Sequence, residues 1–372
     1  MRILLITDQS PDSDHSAIMG IFNRHLRNHA EVRIVWFSRE TELPIHKPGQ
    51  STLPWRYRKL PFLWRISPPC RLDNFDVIIV RNLFGTLGEL ARDNRTYLLG
   101  FWESFPHSYR RLHEAMLTGR ALWRKKIEYV VRQYRERKLL SHIDFYLPIT
   151  ETYRQHFRAD VALPYHSLPM GVDPENLPLA ITGNPTRNGK LKLIYVGAID
   201  ALRGFNILIP ALLGSKVEFE LDIYTASRNV ATTFIIDTAA SYVRIHGAVS
   251  RRELLYRMAD YDLGIALIPA NPLYDVASPT KTMEYYAMGL PVLMTPLPEH
   301  LALFDRDSGF FCPLSKEGII TQLLTIQSLD REVLIQMGLR GRQTVLAKRS
   351  YEVLAKDLHS FLKQIQRTSL IH

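Results

Sequence analysis

The chain alternates between short apolar runs and longer segments in which apolar residues recur every three or four positions. The runs in the first half are residues 2–7, 31–37, 76–80, 96–101 and 144–149. Those in the second half are residues 191–196, 219–224, 242–246, 262–268 and 291–294. Such runs separated by helical patterns predict parallel strands that are buried on both faces. We therefore expect parallel sheets covered by helices.

A segment rich in turn-forming residues separates the two series. Residues 173–190 hold three prolines, two glycines and three asparagines, without a long periodic pattern. We interpret this segment as a linker between domains 1–172 and 191–349, with a final helical segment at 350–372. The predicted fold class is α/β, with two doubly wound Rossmann-like domains facing across a cleft.

The longest helical pattern is strongly basic. It runs over residues 109–140, with Trp123, Ile127, Val130 and Tyr134 at steps of three and four. Residues 110–138 hold ten basic and three acidic side chains, and residues 54–65 hold four basic and no acidic ones. Basic residues mixed with aromatic ones predict contact with an anionic membrane surface. A solvated helix face and nucleic-acid binding are the alternatives.

The amino-acid composition indicates the class of protein and the compartment in which it works. The net charge is +10, and hydrophobic residues make up 46%, enough for two cores. The two cysteines, Cys70 and Cys312, lie far apart, which favours a reducing compartment over a disulfide framework. No apolar run approaches the ~20 residues that a membrane-spanning helix needs. We expect a cytoplasmic protein, with peripheral attachment to the inner face of the membrane as an option.

The segment SPTKTMEYYAMGLPV, residues 278–292, has the pattern of a ligand-binding helix start. Ser278 is the expected cap, Pro279 the first helical residue and Gly289 the residue that ends the helix. Free amides at this start, with the ammonium of Lys281, would attract a phosphate. One turn further, Glu284 could accept hydrogen bonds from ribose hydroxyls. The alternative is that both charged residues are simply solvated.

A second phosphate-type loop follows the strand at 191–196, in VGAIDALRGFNIL. Gly197 ends the strand, and Arg203 and Gly204 precede a helix. An arginine can make bidentate contacts with phosphate oxygens. An ordinary surface arginine is the alternative. Nucleic-acid binding requires neither loop, so we expect no nucleic-acid partner.

These segments resemble a known family. SPTKTMEYYAMGLPV is similar to the donor-site signature of the large retaining, nucleotide-sugar-dependent glycosyltransferase family four, which has the GT-B architecture. VGAIDALRGFNILIPAL resembles that family's phosphate loop and first donor-domain helix, and LPMGVDPENL resembles its crossover to the linker. The resemblance is specific over residues 191–310 and weak over 40–140.

The resemblance implies an activity and a set of site residues. The chain would be a hexosyltransferase that uses a nucleotide diphosphate sugar and needs no metal or other cofactor. It would transfer the sugar with retention to a saccharide or lipid-linked acceptor, in the synthesis of a surface polysaccharide or glycolipid. The helix at 350–372 would cross back to the first domain. The implied donor-binding residues are Gly197, Arg203, Gly204, Pro279, Thr280, Lys281 and Glu284, with Arg203 and Lys281 also catalytic.

The sequence departs from the family pattern at several positions. Ala198 stands where the family has a second basic phosphate ligand. Val276 stands where many members have a glutamate, so Asp275 or backbone amides would contact the donor sugar instead. These departures favour an alternative function, a non-catalytic GT-B scaffold that binds a sugar nucleotide or a partner glycosyltransferase.

The acceptor side of the first domain also departs from the pattern. Paired glycines are absent after the first strand, and His15 or Ser16 would take that space. Many members have a histidine after the strand at 96–101, where this chain has Trp102, Glu103 and, further on, His107. We predict that Glu103 is catalytic and orients the acceptor hydroxyl or the donor sugar. A helix cap or a salt bridge to an arginine is the alternative role.

Overall fold

A computed structural model of the chain divides into two compact units. The first comprises Met1–Pro169 and Tyr351–His372, and the second comprises Met170–Ser350. The structure describes residues 1–13, 15–39, 48–92, 95–113, 118–173, 177, 190–199, 204–226 and 242–369. Most of the predicted linker, and Arg203, lie outside these residues.

Six parallel strands form the sheet of the first unit. They are β1 (Arg2–Ile6), β2 (Glu31–Ser38), β3 (Gln50–Pro54), β4 (Val77–Arg81), β5 (Leu98–Glu103) and β6 (Phe145–Pro148). Their order in the sheet is β3-β2-β1-β4-β5-β6. The chain winds outward from β1 to β3 and then resumes on the other side of β1. The winding therefore reverses between β1 and β4, and ligands of doubly wound sheets bind at the strand ends beside such a reversal.

The helices of the first unit include one of irregular winding. The segment between β1 and β2 contains a π-helical segment, Ile18–His25, followed by a 3₁₀ turn, Leu26–Asn28. The pattern at 109–140 forms two helices, His107–His113 and Gly119–Leu140. The remaining helices are Arg56–Lys59, Leu63–Ile66, Phe84–Leu90, Glu151–Phe157 and Tyr351–Ser369, with a 3₁₀ turn at Leu72–Asn74.

The second unit repeats this topology. Its strands are β7 (Leu191–Val196), β8 (Phe219–Tyr224), β9 (Val243–His246), β10 (Leu263–Ala266), β11 (Val292–Met294) and β12 (Phe310–Phe311). Their order is β12-β11-β10-β7-β8-β9, so the winding reverses between β7 and β10. The described helices are Phe205–Gly214, Arg251–Met258, Thr280–Ala287, Pro298–Leu303, Lys316–Ser328 and Arg331–Arg349.

Both faces of each sheet are covered, which explains why the strands read as continuous apolar runs. In β7, Leu193 and Tyr195 belong to one hydrophobic cluster and Ile194, which points the other way, belongs to another. All three side chains are buried. Because neither face meets water, the strands lack the polar alternation of a half-exposed sheet.

The predicted fold class is confirmed, as two Rossmann-like units. All ten predicted strands are present, with ends within two residues of the prediction. β3 and β12 were missed: β3 is an edge strand of mostly polar residues, and β12 has only two residues. Cys70 and Cys312 are free thiols. In the described part of the chain, no helix combines the length and apolar character needed to cross a bilayer.

Candidate functional site

The helix Thr280–Ala287 begins beside the reversal point of the second sheet. Its Tyr285 hydroxyl accepts a hydrogen bond from the backbone N–H of Val196, the last residue of β7, at 2.9 Å. Gly264 in β10 makes room for the Tyr285 ring, since a Cβ there would lie 2.5 Å from it. These contacts place the helix over β7 and β10, the two strands between which the winding reverses.

The start of this helix differs from the prediction by one residue. Pro279, not Ser278, occupies the N-cap position, and its ring offers no capping hydrogen bond. Ser278 instead accepts the backbone N–H of Met170 at 3.1 Å and donates to Glu299 at 3.2 Å. The predicted Ser278 cap is therefore wrong. Pro279 therefore supplies no side-chain cap to the amides of the first turn, and uncapped amides at a helix start suit an anion.

The end of the helix follows the prediction. Gly289 has a φ of +73°, a left-handed conformation that favours glycine. Its N–H bonds to the carbonyl of Tyr286, and the next N–H, of Leu290, bonds to the carbonyl of Tyr285. This is a Schellman motif, and it turns the chain directly into buried strand β11.

Lys281 lies at the carboxyl end of β7. Its ammonium is 3.8 Å from the centroid of the Tyr195 ring, and the Tyr195 hydroxyl donates to the carbonyl of Ala198 at 2.9 Å. Gly197 has a φ of +136°, and a Cβ on it would lie 3.3 Å from the Lys281 nitrogen. A glycine at this position thus lets the backbone run close beside a lysine that rests on an aromatic face.

Glu284 is a buried carboxylate, 8% exposed, one turn beyond Lys281. Arg251, the first residue of the helix Arg251–Met258, approaches it with Nε 2.9 Å from Oε1. Burial raises the pKa of Glu284, while the positive charges of Arg251 and Lys281 act in the opposite direction. The arginine holds the carboxylate in place, and a carboxylate can accept hydrogen bonds from the hydroxyls of a ligand.

The second phosphate-type loop is described only in part, because Arg203 lies outside the described residues. Gly204 is the N-cap of the helix Phe205–Gly214 and has a φ of +69°. Ala198 is exposed. Val276 is 1% exposed, so the position where the family often has a glutamate here belongs to the core. Asp275, beside it, is half-buried.

Buried polar side chains of the helix Pro298–Leu303 contact the start of the Thr280–Ala287 helix. His300 lies 3.0 Å from the Thr282 hydroxyl through Nε2 and 2.8 Å from the carbonyl oxygen of Thr295 through Nδ1. Burial lowers the pKa of His300 to about 4, so the ring is neutral near pH 7. Arg349 pairs with Glu299 at 3.0 Å. The sequence reasoning missed both groups. His300 and Glu299 lie on the helix Pro298–Leu303, and Arg349 ends the helix Arg331–Arg349.

The first unit has its own polar cluster at the β1–β4 reversal. Arg81, the last residue of β4, is 4% exposed and forms an ion pair with Asp8, which follows β1. Arg81 also contacts His15 Nε2 and the Ser104 hydroxyl, each at 2.9 Å. Its guanidinium carbon lies 4.9 Å from the Trp102 ring centroid. Burial lowers the pKa of Arg81, and the Asp8 carboxylate opposes this effect.

Asn82 completes this cluster. It has a φ of +57°, in the left-handed region that residues other than glycine seldom adopt. Its amide nitrogen donates to Ser104 at 2.8 Å and to Asp8 at 3.2 Å, and its oxygen accepts the backbone N–H of Ser104 at 2.9 Å. The cluster thus joins the carboxyl ends of β1, β4 and β5. Strained backbone held by several hydrogen bonds is common at functional sites.

Glu103, the last residue of β5, is part of a buried ion network. Arg158 binds both of its carboxylate oxygens, at 2.6 and 2.9 Å, and Tyr146 donates to one of them at 2.8 Å. Arg158 also donates to Glu136 at 2.8 Å. This is the salt bridge considered as the alternative role of Glu103. The same carboxylate lines a cavity, so the two roles are compatible.

The cavity measures about 460 Å³ and lies in the first unit alone. Asp8, Asn82, Glu103 and His107 are among the residues that line it. His107 is exposed and packs edge-on against Phe105. The other acceptor-side residue predicted from the sequence, Ser16, accepts a hydrogen bond from the Tyr351 hydroxyl at 2.9 Å.

Several members of these clusters escaped sequence reasoning. Asp8 and Arg81 carried a usable signal, because each lies at the end of a predicted strand and adjacent strands bring such ends together. Arg251 and Arg158 carried none, because nothing local distinguishes them from the other arginines. In the described part of the chain, no group of three or more His, Cys, Asp or Glu side chains is arranged to hold a metal ion.

Solved structures with the same architecture are found by comparison. Sucrose-phosphate synthase from Thermosynechococcus elongatus superposes with a TM-score of 0.75 and 13% identity, covering 99% of this chain and 100% of the other. Anabaena HepE, in complex with UDP and glucose, superposes with a TM-score of 0.68 and 12% identity, covering 98% of this chain and 100% of the other. An α,α-trehalose-phosphate synthase from Burkholderia xenovorans, in complex with glucose-6-phosphate, superposes with a TM-score of 0.67 and 12% identity, covering 98% of this chain and 100% of the other.

These similarities show the fold, the GT-B architecture of two Rossmann-like domains over the whole chain. At 12–13% identity they show nothing finer. No family model matches the sequence, and no curated protein matches it significantly.

Proposed function

We propose that this protein is a glycosyltransferase that moves a sugar from a nucleotide diphosphate sugar to an acceptor hydroxyl. The observation that carries this proposal is the placement of Lys281 and Glu284 one turn apart, on a helix that starts at the β7–β10 reversal. Lys281 and the uncapped amides suit a diphosphate, and Glu284 suits the hydroxyls of the adjoining ribose. The GT-B fold of neighbours such as HepE, solved with UDP and glucose, supports the same function and makes UDP the first nucleotide to test.

The proposed chemistry is stabilisation of the leaving group. Negative charge grows on the diphosphate as the glycosidic bond breaks, and the side chains of Lys281 and Arg203 and the backbone N–H groups of Thr280 and Lys281 would offset it. Gly197 and Gly204 would let the phosphates approach the backbone closely. In this proposal the reaction proceeds with retention and without a metal. Both features come from the family resemblance.

The acceptor is proposed to bind to the first unit. Glu103 and His107 line the cavity there, and Glu103 would orient the acceptor hydroxyl. His15, Ser16 and Trp102 are proposed to belong to the same acceptor side, as the family resemblance implies. The ion pair with Arg158 holds the Glu103 side chain in place, as such a role requires.

A lipid-linked acceptor is supported by the surface of the helix Gly119–Leu140. Trp123 is 69% exposed and Tyr134 is 67% exposed, with Ile127 and Val130 on the same stripe. Lysines and arginines flank this stripe. Exposed aromatic residues among basic ones suit the surface of an anionic membrane. We propose peripheral attachment to the inner face of the membrane, in the synthesis of a polysaccharide or glycolipid.

The second candidate function is a non-catalytic scaffold that binds a sugar nucleotide. It is favoured by Ala198 and Val276, which remove a basic and an acidic group that the resembled family uses. Such a protein would bind the nucleotide through Lys281 and Glu284 but would not turn over a donor.

Nucleotide binding and donor turnover, measured on the purified full chain, separate these functions. We expect UDP or another nucleoside diphosphate to raise the melting temperature, because a ligand that binds only the folded state stabilises it. We also expect slow release of nucleoside diphosphate from the matching sugar nucleotide, lost in Glu284→Gln. Glu253→Gln, an exposed carboxylate on the neighbouring helix, is the control. Binding without release would favour the scaffold, and no stabilisation by any nucleotide would overturn both functions.

A further inference from the structure

Arginines outnumber carboxylates around the cavity of the first unit, once the arginines that pair with its carboxylates are counted. Three arginines line it, Arg58, Arg110 and Arg132, together with the carboxylates of Asp8, Glu103 and Glu136. These carboxylates are already paired with arginines behind the cavity wall. Arg81 binds Asp8, and Arg158 binds both Glu103 and Glu136. The group therefore holds five arginines against three carboxylates.

Among the described residues, a ring contact and a hydrogen bond position Arg58. Its guanidinium lies 4.4 Å from the centroid of the Trp55 ring and donates one N–H to the carbonyl of Asp8 at 2.6 Å. A guanidinium carries five N–H donors in a planar fork. Burial lowers the pKa of Arg58, and the nearby charge of Arg39 lowers it further, while Asp8 raises it. An anion bound beside Arg58 would offset its positive charge.

The other two arginines approach the cavity from different elements. Arg132, on the helix Gly119–Leu140, places Nε 3.3 Å from Glu136 and remains 43% exposed. Arg110, on the helix His107–His113, lies over the Phe105 ring with its guanidinium carbon 5.6 Å from the ring centroid. Arginines converging from three separate segments favour a single anionic group with several oxygens.

We infer that this cavity binds a phosphate group, and that the acceptor of the proposed transfer therefore carries a phosphate. The inference rests on the proposed function, since it names the class of that acceptor. A sugar phosphate and a lipid-linked phosphate share the chemistry that the three arginines recognise. Glu103, in the same cavity, would lie near the acceptor's sugar rather than near its phosphate, because a carboxylate repels that charge.

The test is calorimetric titration of the full chain without any donor present. The probes are inorganic phosphate, glucose 6-phosphate and glucose, and farnesyl phosphate in detergent for the lipid-linked source. We expect saturable binding of the phosphate-bearing probes and none of glucose. Arg58→Gln and Arg132→Gln should each weaken that binding by about tenfold or more, as the loss of a charge-assisted hydrogen bond does. A preference for glucose 6-phosphate or for farnesyl phosphate identifies the source.

Matched controls lie on the same two helices. Arg56→Gln and Arg135→Gln remove exposed arginines that do not line the cavity, and each should bind the probes as the wild type does. Absence of saturable phosphate binding, or equal affinity in Arg58→Gln, Arg132→Gln and the wild type, would overturn the inference. A parallel titration with UDP tests the second unit alone. Failure there with phosphate binding intact counts against the proposed function and leaves the anion site standing.

Discussion

Arg251 holds Glu284 from a different helix, with its Nε 2.9 Å from one carboxylate oxygen. The pair fixes the direction in which the second oxygen points, at a position one turn beyond Lys281. A carboxylate fixed in this way can recognise a pair of neighbouring hydroxyls without a further loss of side-chain conformational entropy on binding.

Glu284→Gln is expected to weaken binding of UDP by about ten- to a hundredfold, the usual effect of losing a hydrogen bond to a charged group. The nucleotide 2′,3′-dideoxy-UDP lacks the ribose hydroxyls, so the wild type should bind it more weakly than it binds UDP. Glu284→Gln should bind 2′,3′-dideoxy-UDP with almost the same affinity as the wild type does. Calorimetry on both proteins with both nucleotides measures the coupling. Equal losses for the two nucleotides would contradict contact with the ribose.

Lys281→Met is expected to weaken the binding of the phosphates of UDP and to leave the binding of its nucleoside unchanged. Removing the ammonium beside Gly197 should lower the affinity for UDP by about tenfold. The affinity for uridine should stay within about twofold. Lys348→Met, on an exposed part of the same unit, is the matched control. If uridine binding falls as much as UDP binding does, Lys281 supports the site's structure and does not contact phosphate.

Glu103 and Glu136 share Arg158, which makes them a matched pair for testing catalysis. Replacing either with glutamine leaves an imperfectly paired buried arginine, so both variants should lose stability, by about 1–3 kcal/mol in urea denaturation. Only Glu103→Gln should lower the kcat of the folded enzyme. Glu136→Gln should lower activity no further than the smaller amount of folded protein accounts for. Equal effects of the two variants on turnover would assign Glu103 to the ion network alone.

His300 is expected to make the second unit sensitive to acid. Its pKa is about 4 in the folded protein, below the ordinary value of 6.5, because burial disfavours the charged ring. The unfolded chain therefore binds a proton first as the pH falls, and stability is lost between about pH 6.5 and 4. The full contribution is about 3 kcal/mol.

The measurement compares urea unfolding at pH 7 and pH 4.5. Since other groups also titrate in this range, the informative quantity is the difference between the wild type and His300→Asn. The variant should be less stable at pH 7 but should lose less stability on acidification. A drop between the two pH values as large as that of the wild type would exclude His300 as the source.

Trp123→Ala and Tyr134→Ala are expected to weaken attachment to anionic vesicles without unfolding the chain, because both side chains are mostly exposed. Flotation with phosphatidylglycerol vesicles at low salt measures the effect, and salt should reverse binding through screening of the basic residues. Tyr256→Ala, an exposed aromatic residue of the second unit, is the control. If the wild type does not float at low salt, the membrane part of the proposal fails.

The fold was largely predictable because its signals are local. A strand buried on both faces must be apolar throughout, so β1, β7 and the other long strands are visible as runs. A helix that ends in a left-handed residue needs a glycine there, and Gly289 marks that point. Edge strand β3 has no such requirement, and its polar sequence gave no sign of it.

The candidate sites were predictable in part. Lys281 and Glu284 could be paired because three positions on one helix bring them to the same face. Ser278 was misassigned as a cap because capping depends on where the backbone turns, and Pro279 takes that position. The helix Gly119–Leu140 looked amphipathic, but only the structure reveals that Trp123 and Tyr134 face solvent.

By itself, then, the sequence determined the two parallel sheets, the order of their strands along the chain, and the lysine–glutamate spacing on one helix. Tertiary structure decided which charges meet: Arg251 with Glu284, Arg81 with Asp8, and Arg158 with Glu103, which lies 55 residues away along the chain. The physical reason is that periodicity reports burial within one segment. Pairing across segments depends on strand order and helix docking, which no local pattern records.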